Sequence, residues 1–177
     1  MTVVINKPLR YLLPLIFMAL AALPMQSCKV KYSFTGASIS PEVKTVSVDY
    51  FQNLSSLVNP QLSGYLTEEL KNRFVSQTSL NVVRADGDLQ FSGQITGYTV
   101  APIAIQSNEV AAQNRLKITV KVKFVNNKDP KQNYDKSFSR YADFDSSQNF
   151  ASVESQLMTT IVEELVEDIF NNAVANW

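Results

Sequence analysis

The chain has 177 residues, with 16 basic and 16 acidic side chains, one cysteine and no histidine. The absence of histidine excludes a Ser-His-Asp triad, a Cys-His pair and any zinc site that uses histidine. The balanced charge does not favour a polyanion such as nucleic acid as a partner. We therefore expect a protein that is not an enzyme and needs no cofactor.

The first 27 residues have the three zones of a secretory signal peptide. Lys7 and Arg10 precede an apolar stretch at 11–23, and small and polar residues then lead to Cys28. The apolar stretch is too short to cross a bilayer, which needs about 20 residues. Cys28 follows Ser27, and this pair resembles the lipobox of bacterial lipoproteins. The resemblance implies cleavage between Ser27 and Cys28 and attachment of diacylglycerol and an acyl chain such as palmitate to Cys28. The alternative is a free thiol beside an ordinary cleavage site.

The remaining 150 residues (177 − 27) fit one domain with a single core. We predict a lipidated N-terminus and tether at 28–41 and a single domain at 42–177. The first strand is predicted at 43–50, where Val46, Val48 and Tyr50 alternate with polar residues.

Two helices are predicted from apolar residues that recur every four positions. The first runs from about 60 to 77, and Pro60 suits its first turn. Its apolar positions are Leu62, Leu66, Leu70 and Phe74. The second closes the chain over about six turns. Its apolar positions include Val153, Leu157, Ile161 and Leu165.

Further strands are predicted at 80–83, 89–100, 116–124 and 134–144 from alternating apolar residues. An enzyme that uses only carboxylates would need a pair of acids, and the nearest pair is Asp86 and Asp88. Because they flank Gly87 between the strands at 80–83 and 89–100, we interpret this segment as a turn. In the last strand Lys136 and Arg140 share the parity of the apolar residues, which weakens its pattern. Together the elements predict an α+β fold, with two helices packed on one face of a mainly antiparallel four- to five-stranded sheet. The other face is polar, so it is either wet or covered by a partner.

Basic and acidic residues are concentrated in different parts of the chain. Residues 112–144 contain eight bases and three acids, whereas residues 146–177 contain five acids and no base. The closing helix and the strands before it are therefore expected to have opposite potentials. The candidate contact residues are the bases on one side of the strand at 116–124 and just before it: Arg115, Lys117, Lys121 and Lys123. The alternative is a solvated strand face whose lysines discourage edge pairing.

The stretch from Ala101 to Gln113 is predicted as a long loop that is uncharged except for Glu109. Its length is unusual for a hairpin connection and often indicates function. We expect it either to insert into a partner or the lipid path, or to form a small apolar cluster of its own.

Four segments carry a resemblance to a known family. They are YSFTGASI at 32–39, VKTVSVDYFQN at 43–53, LVNPQLSGYLTEEL at 57–70 and NRLKITVKVKF at 114–124. Together they resemble the lipopolysaccharide-assembly lipoproteins, in a divergent branch of the LptE-like family. The resemblance covers essentially the whole chain after Cys28.

The resemblance implies an outer-membrane lipoprotein on the periplasmic side. Such proteins plug the lumen of a large β-barrel, LptD-like, assist its assembly and take part in delivering lipopolysaccharide. It also implies two helices on a mainly antiparallel sheet, which agrees with the fold predicted above. The candidate bases would then meet lipopolysaccharide phosphates or acidic groups in the barrel lumen. The alternative function is a stand-alone lipoprotein that binds a small apolar or glycan ligand in the periplasm or at the cell surface.

Overall fold

The computed structural model describes residues 39–103 and 113–174. The chain divides into two units, Met1–Ser33 and Phe34–Trp177, and all described residues belong to the second. The predicted signal peptide, Ser27 and Cys28 lie outside the described residues. So do residues 104–112, which make up most of the predicted loop at 101–113.

The described chain contains six strands and two long helices. In order they are β1 (Thr45–Val48), β2 (Gln52–Asn53), α1 (Leu62–Gln77), β3 (Asn81–Val83), β4 (Leu89–Ile103), β5 (Gln113–Asn126), β6 (Tyr134–Asp145) and α2 (Phe150–Val174). A single 3₁₀ turn, Pro130–Gln132, lies between β5 and β6. Every predicted helix and strand is present, and β2 is an addition.

The sheet differs from its prediction in two respects. It has six strands in the order β3-β1-β4-β5-β6, with β2 beside β4, and it is mixed: β1 pairs parallel with β3 and β4, and β2 pairs parallel with β4. The predicted α+β class with two helices on a mainly antiparallel sheet is confirmed, whereas the predicted count of four or five strands was too low. The parallel pairs among the short strands were not predicted. The physical reason is α1, because this helix carries the chain back to the end where β1 began, so β3 enters the sheet in the same direction. The β4-β5-β6 part is antiparallel, as predicted.

Both helices cover one face of the sheet, as predicted, and the core lies between the two layers. The four apolar residues that predicted α1 are all fully buried. In α2 the buried residues are Met158, Ile161, Val162, Leu165, Val166, Ile169, Phe170, Ala173 and Val174. On β5 the five alternating apolar residues from Leu116 to Phe124 are at most 1% exposed. The opposite side of β5 therefore faces away from the helices.

The connection from β3 to β4 crosses β1 at Gly87. The Gly87 N–H donates to Ser47 Oγ at 3.3 Å, and a Cβ on Gly87 would lie only 2.5 Å from the backbone N of Ser47. Only glycine fits such a close crossing of two chains. Asp86 has a φ of 55°, which aspartate tolerates in turns. The interpretation of this segment as a turn is confirmed.

Asp88 fastens this crossing to the start of β1. One carboxylate oxygen accepts the backbone N–H groups of Lys44 at 2.8 Å and Thr45 at 3.0 Å, and the other pairs with Lys128 Nζ at 3.0 Å. These contacts, the Lys44 hydrogen bond first, hold the pKa of Asp88 well below its usual range. The carboxylate has a structural role.

We expect Asp88→Asn to destabilise the domain at neutral pH and to lose this effect in acid. Because the folded pKa of Asp88 is lowered, its contribution is fully present above the unfolded pKa of about 3.9 and disappears as the pH falls through the folded value. The gap between the urea midpoints of the wild type and the variant should shrink as the pH falls below about 4 and should close only below the folded pKa of Asp88. A gap that stays constant over this range would contradict the assignment.

The two bases that weakened the predicted pattern of β6, Lys136 and Arg140, both bind side chains of α2. Arg140 forms a bidentate pair with Asp168 at 2.6 and 2.7 Å, and Lys136 Nζ donates to Asn172 Oδ1 at 3.1 Å. The even-numbered side of β6 therefore faces the helix layer although it carries two charges. The Arg140 pair joins β6 to the acidic helix α2.

Candidate functional site: the open face of the sheet

The side of the sheet away from the helices carries the predicted bases. Arg115, Lys117, Lys121 and Lys123 alternate with the buried residues of β5, so all four side chains lie on this open face. The neighbouring strands add polar side chains, since Lys117 stands opposite Thr99 on β4 and Tyr141 on β6. The structure thus brings the four predicted residues together in one row.

Two of the four bases have acidic partners on β6. Arg115 binds Asp143 through two hydrogen bonds of 2.7 and 2.8 Å, and its guanidinium lies 3.5 Å from the centre of the Tyr141 ring. The hydrogen bond from Arg115 lowers the pKa of Asp143, and the same bond raises the pKa of Arg115. Lys121 Nζ lies 3.3 Å from Asp135, in a pair that is about half exposed at both ends. Exposed pairs of this kind add little stability, so they mainly fix where the charges stand.

Lys117 and Lys123 form no ion pair within residues 39–103 and 113–174. They are six positions apart along an extended strand, which places their Cα atoms about 20 Å apart. Between them, Thr119 and Ser139 share a hydrogen bond of 2.8 Å across β5 and β6. The open face is therefore a polar row in which Lys117 and Lys123 form no ion pair with other described residues, although Asp135 stands opposite Lys123 on β6.

Sequence reasoning did not foresee the acidic partners on β6 or the stacked Tyr141. Asp135, Tyr141 and Asp143 share the odd-numbered side of β6, and that alternation is visible in the sequence. Their assignment to particular bases requires the register of β5 against β6, which places Arg115 opposite Asp143.

The predicted loop at 101–113 is shorter than expected. Ala101, Pro102 and Ile103 belong to β4 and Gln113 begins β5, with Ile103 paired to Gln113. The strands continue past Pro102 because β4 has no described strand partner on its other side there, so the missing N–H of proline breaks no ladder. The expected insertion of residues 104–112 into a partner concerns residues outside the described part and stays a prediction.

A sequence model of the LptE lipopolysaccharide-assembly family matches residues 43–173, which is more than half of the chain. The chain belongs to this family. LptE proteins are non-enzymatic lipoproteins of lipopolysaccharide assembly, and they pair with a component of the lipopolysaccharide translocon. The prediction that the chain is not an enzyme is confirmed on this basis.

Solved structures agree with the fold. A minor lipoprotein from Acinetobacter baumannii has a TM-score of 0.51 and 14% identity, covering 76% of this chain and 95% of its own. A hypothetical protein from Chlamydia trachomatis has a TM-score of 0.52 and 9% identity, covering 76% of this chain and 99% of its own. At such identities the likeness shows the fold alone. No curated protein sequence matches the chain.

Two observations describe what the domain lacks. Neither described helix is both long and apolar enough to span a bilayer. In the same part of the chain, no three acidic, cysteine or histidine side chains gather where they could hold a metal ion.

Proposed function

We propose that this LptE-family chain is an outer-membrane lipoprotein that plugs a large LptD-like β-barrel, assists its assembly and helps deliver lipopolysaccharide. The family match supports a role in lipopolysaccharide assembly. The proposed position inside a barrel rests on the open face of the sheet. A wide polar surface that no other described element covers suits the lumen of a polar barrel. Lys117 and Lys123 present ammonium groups on that surface and form no ion pair with other described residues.

Lys117 and Lys123 are proposed to meet phosphates of lipopolysaccharide or acidic groups of the lumen wall. An ammonium group on a strand is a mobile point charge, which suits brief contact with phosphate better than a rigid bidentate clamp. Exposed pairs are weak, at about 1 kcal/mol or less. Weak contact allows a transported lipid to leave. Arg115 and Lys121, held by Asp143 and Asp135, keep the row in register.

A lipid anchor on Cys28, after cleavage behind Ser27, is proposed to hold the chain on the periplasmic side of the outer membrane. Several acyl chains at one residue suffice for stable anchoring, since each buried methylene contributes about 0.8 kcal/mol. The chain after Cys28 enters the domain at the start of β1. At the same end of the sheet, Asp88 accepts the backbone N–H groups of Lys44 and Thr45.

A second candidate is a stand-alone lipoprotein that binds a small glycan, and one observation favours it. A recess of about 280 Å³ lies between the 3₁₀ turn, the start of β6 and the end of α2. It is lined by Lys131, Gln132, Asn133, Tyr134, Lys136, Asn172 and Ala173. Amide groups around an aromatic ring suit a sugar.

The test of the proposed function is recovery of the tagged full chain from mild-detergent membranes, with its partners identified by mass. Stoichiometric recovery of one large outer-membrane β-barrel is the expected result. Recovery of the lipoprotein alone, from membranes that contain the barrel, would replace the proposal with the stand-alone binder.

The proposed contacts of Lys117 and Lys123 predict a specific loss of binding. We expect Lys117→Gln combined with Lys123→Gln to lower the affinity for lipopolysaccharide or the barrel about tenfold, since two exposed charge contacts of about 0.7 kcal/mol each are removed. The matched control is Lys71→Gln with Arg73→Gln on α1, which removes the same charge from another surface. Binding is measured with purified lipopolysaccharide and with the recovered barrel. Equal binding by both double variants would reduce the row to a solvated strand face.

A further inference from the structure

β4 has strand neighbours on both sides over only part of its length. β5 pairs with it as far as Ile103, whereas on the other side β1 reaches Phe91 and β2 reaches Ile95. Beyond Ile95, no strand in the described part of the chain pairs with that side. Thr96, Thr99, Val100, Ala101 and Pro102 are exposed there. Within residues 39–103 and 113–174, residues 96–103 are therefore a strand edge without a partner, called the free β4 edge below.

The backbone groups that point out of this edge follow from the pairing. Asp49 N–H donates to Phe91 O at 2.8 Å and Leu54 N–H to Ile95 O at 2.9 Å, so these carbonyls point towards β1 and β2. The register shifts by one residue between Ile95 and Gly97. Since alternate residues of a strand point the same way, the outward set becomes Tyr98, Val100 and Pro102. Three carbonyls and two N–H groups are thus available, because proline has no N–H.

Three exposed apolar residues of the loop that follows β2, Leu54, Leu57 and Val58, are called the shelf below. They are 60%, 50% and 56% exposed, respectively. Exposed apolar residues that cluster commonly mark an interaction site. The shelf starts where Leu54 N–H bonds Ile95 O, one residue before the free edge begins.

Hydrogen bonds hold the shelf in place. Ser55 Oγ donates to Leu57 O at 2.6 Å. Beyond the shelf, Asn59 Nδ2 donates to Glu154 Oε1 at 2.8 Å, and the same oxygen accepts the Tyr98 hydroxyl at 2.6 Å. Burial and the bond to Glu154 raise the pKa of Tyr98, which keeps its hydroxyl a donor. Glu154 of α2 therefore links the end of this loop to Tyr98, the first outward-pointing residue of the free β4 edge.

The charge of the surroundings selects what the edge can bind. No residue of β4 is charged, and residues 50–67 carry no charge either. The other long edge strand, β6, has five charged residues among twelve, and charges are a common protection against strand pairing. A charged side chain seated on the shelf would lose hydration without gaining a partner there, so a segment that is uncharged where it meets the shelf is favoured.

We propose that the free β4 edge and the shelf of Leu54, Leu57 and Val58 bind an extended segment of the barrel partner, uncharged where it meets the shelf, which joins the sheet as an additional strand. The identity of the partner rests on the proposed function. The wall of a closed barrel has no free edge, so the segment comes from a part of the partner outside that wall. Backbone hydrogen bonds supply affinity in this mode of recognition, and the shelf supplies selectivity.

The experiment measures how much barrel is recovered with the tagged full chain from mild-detergent membranes. Val58→Lys places a charge on the shelf, and Val75→Lys makes the same change at a residue of α1 that is 62% exposed. Val100→Pro removes an outward N–H, which an edge strand tolerates. We expect Val58→Lys and Val100→Pro each to lower recovery about tenfold, and Val75→Lys to leave it unchanged. Thermal unfolding of each variant verifies that it folds.

Equal recovery with all three variants overturns the strand proposal and leaves the proposed function standing. If the wild type recovers no barrel, the proposed function fails and this inference fails with it. A photoreactive residue at position 100 provides a readout that is independent of the stability of the proline variant. A cross-link to a barrel peptide with such an uncharged stretch supports the proposal. A cross-link between two copies of this chain, or none, overturns it.

Discussion

Phe74→Ala is expected to lower the free energy of unfolding by about 3–5 kcal/mol. Phe74 is fully buried on α1. Its ring centre lies 5.1 Å from that of Phe91 on β4 and 5.0 Å from that of Phe170 on α2. The side chain therefore joins the two helices to the sheet, and its removal leaves a cavity that no single element can close. Because domains of this size are stable by only about 5–15 kcal/mol, the variant should be marginally folded.

The control is the next residue in the chain. Val75→Ala changes a side chain that is 62% exposed, so its effect should stay within about 0.5 kcal/mol. Urea unfolding of both variants measures the difference. Similar losses from the two substitutions would show that Phe74 does not connect the layers.

Gly93→Ala is expected to destabilise the domain by about 1–3 kcal/mol. A Cβ on Gly93 would overlap the backbone carbonyl of Lys121 on β5, and it would lie 2.7 Å from the ring of the buried Phe51. Neither neighbour can move freely, because one belongs to a paired strand and the other to the core.

The same substitution at Gly64 should have the opposite sign. A Cβ there meets nothing within 4 Å, and alanine favours a helix interior over glycine by about 1 kcal/mol. Thermal unfolding of Gly93→Ala and Gly64→Ala measures both effects together. Stabilisation by both variants would contradict the close approach of Lys121 and Phe51 to Gly93.

Periodicity predicted the elements whose own side chains carry the pattern. α1 was placed within two residues at its start, where the helix begins at Leu62 after Gln61. β5 was predicted because its apolar residues alternate over nine positions from Leu116 to Phe124. The parallel pairs could not be predicted in this way. β1, β2 and β3 have four, two and three residues, which are too few for a pattern that identifies a partner.

The candidate site was predictable to the level of a face. Alternation along β5 places the four bases together, but it cannot identify which of them are compensated. That depends on the register of β5 and β6, which the turn between them sets. There Asn126, fully buried, accepts the N–H groups of Lys128 and Asp129 at 2.9 and 3.1 Å and donates to Gln132 at 2.8 Å. A turn with this many side-chain hydrogen bonds has no simple signature in the sequence.

The position of α2 after all six strands also determines when the domain can fold. Its 25 residues contribute one of the two helices that cover the sheet, and nine of them are buried. Whether a chain leaves a ribosome or passes through a membrane pore, its N-terminal part emerges first, and α2 does not cover the inner faces of β5 and β6 until it has emerged as well. Such intermediates expose apolar surface and are vulnerable to aggregation and proteolysis. A chain truncated before α2 cannot close its core, so the domain becomes stable only after α2 has emerged.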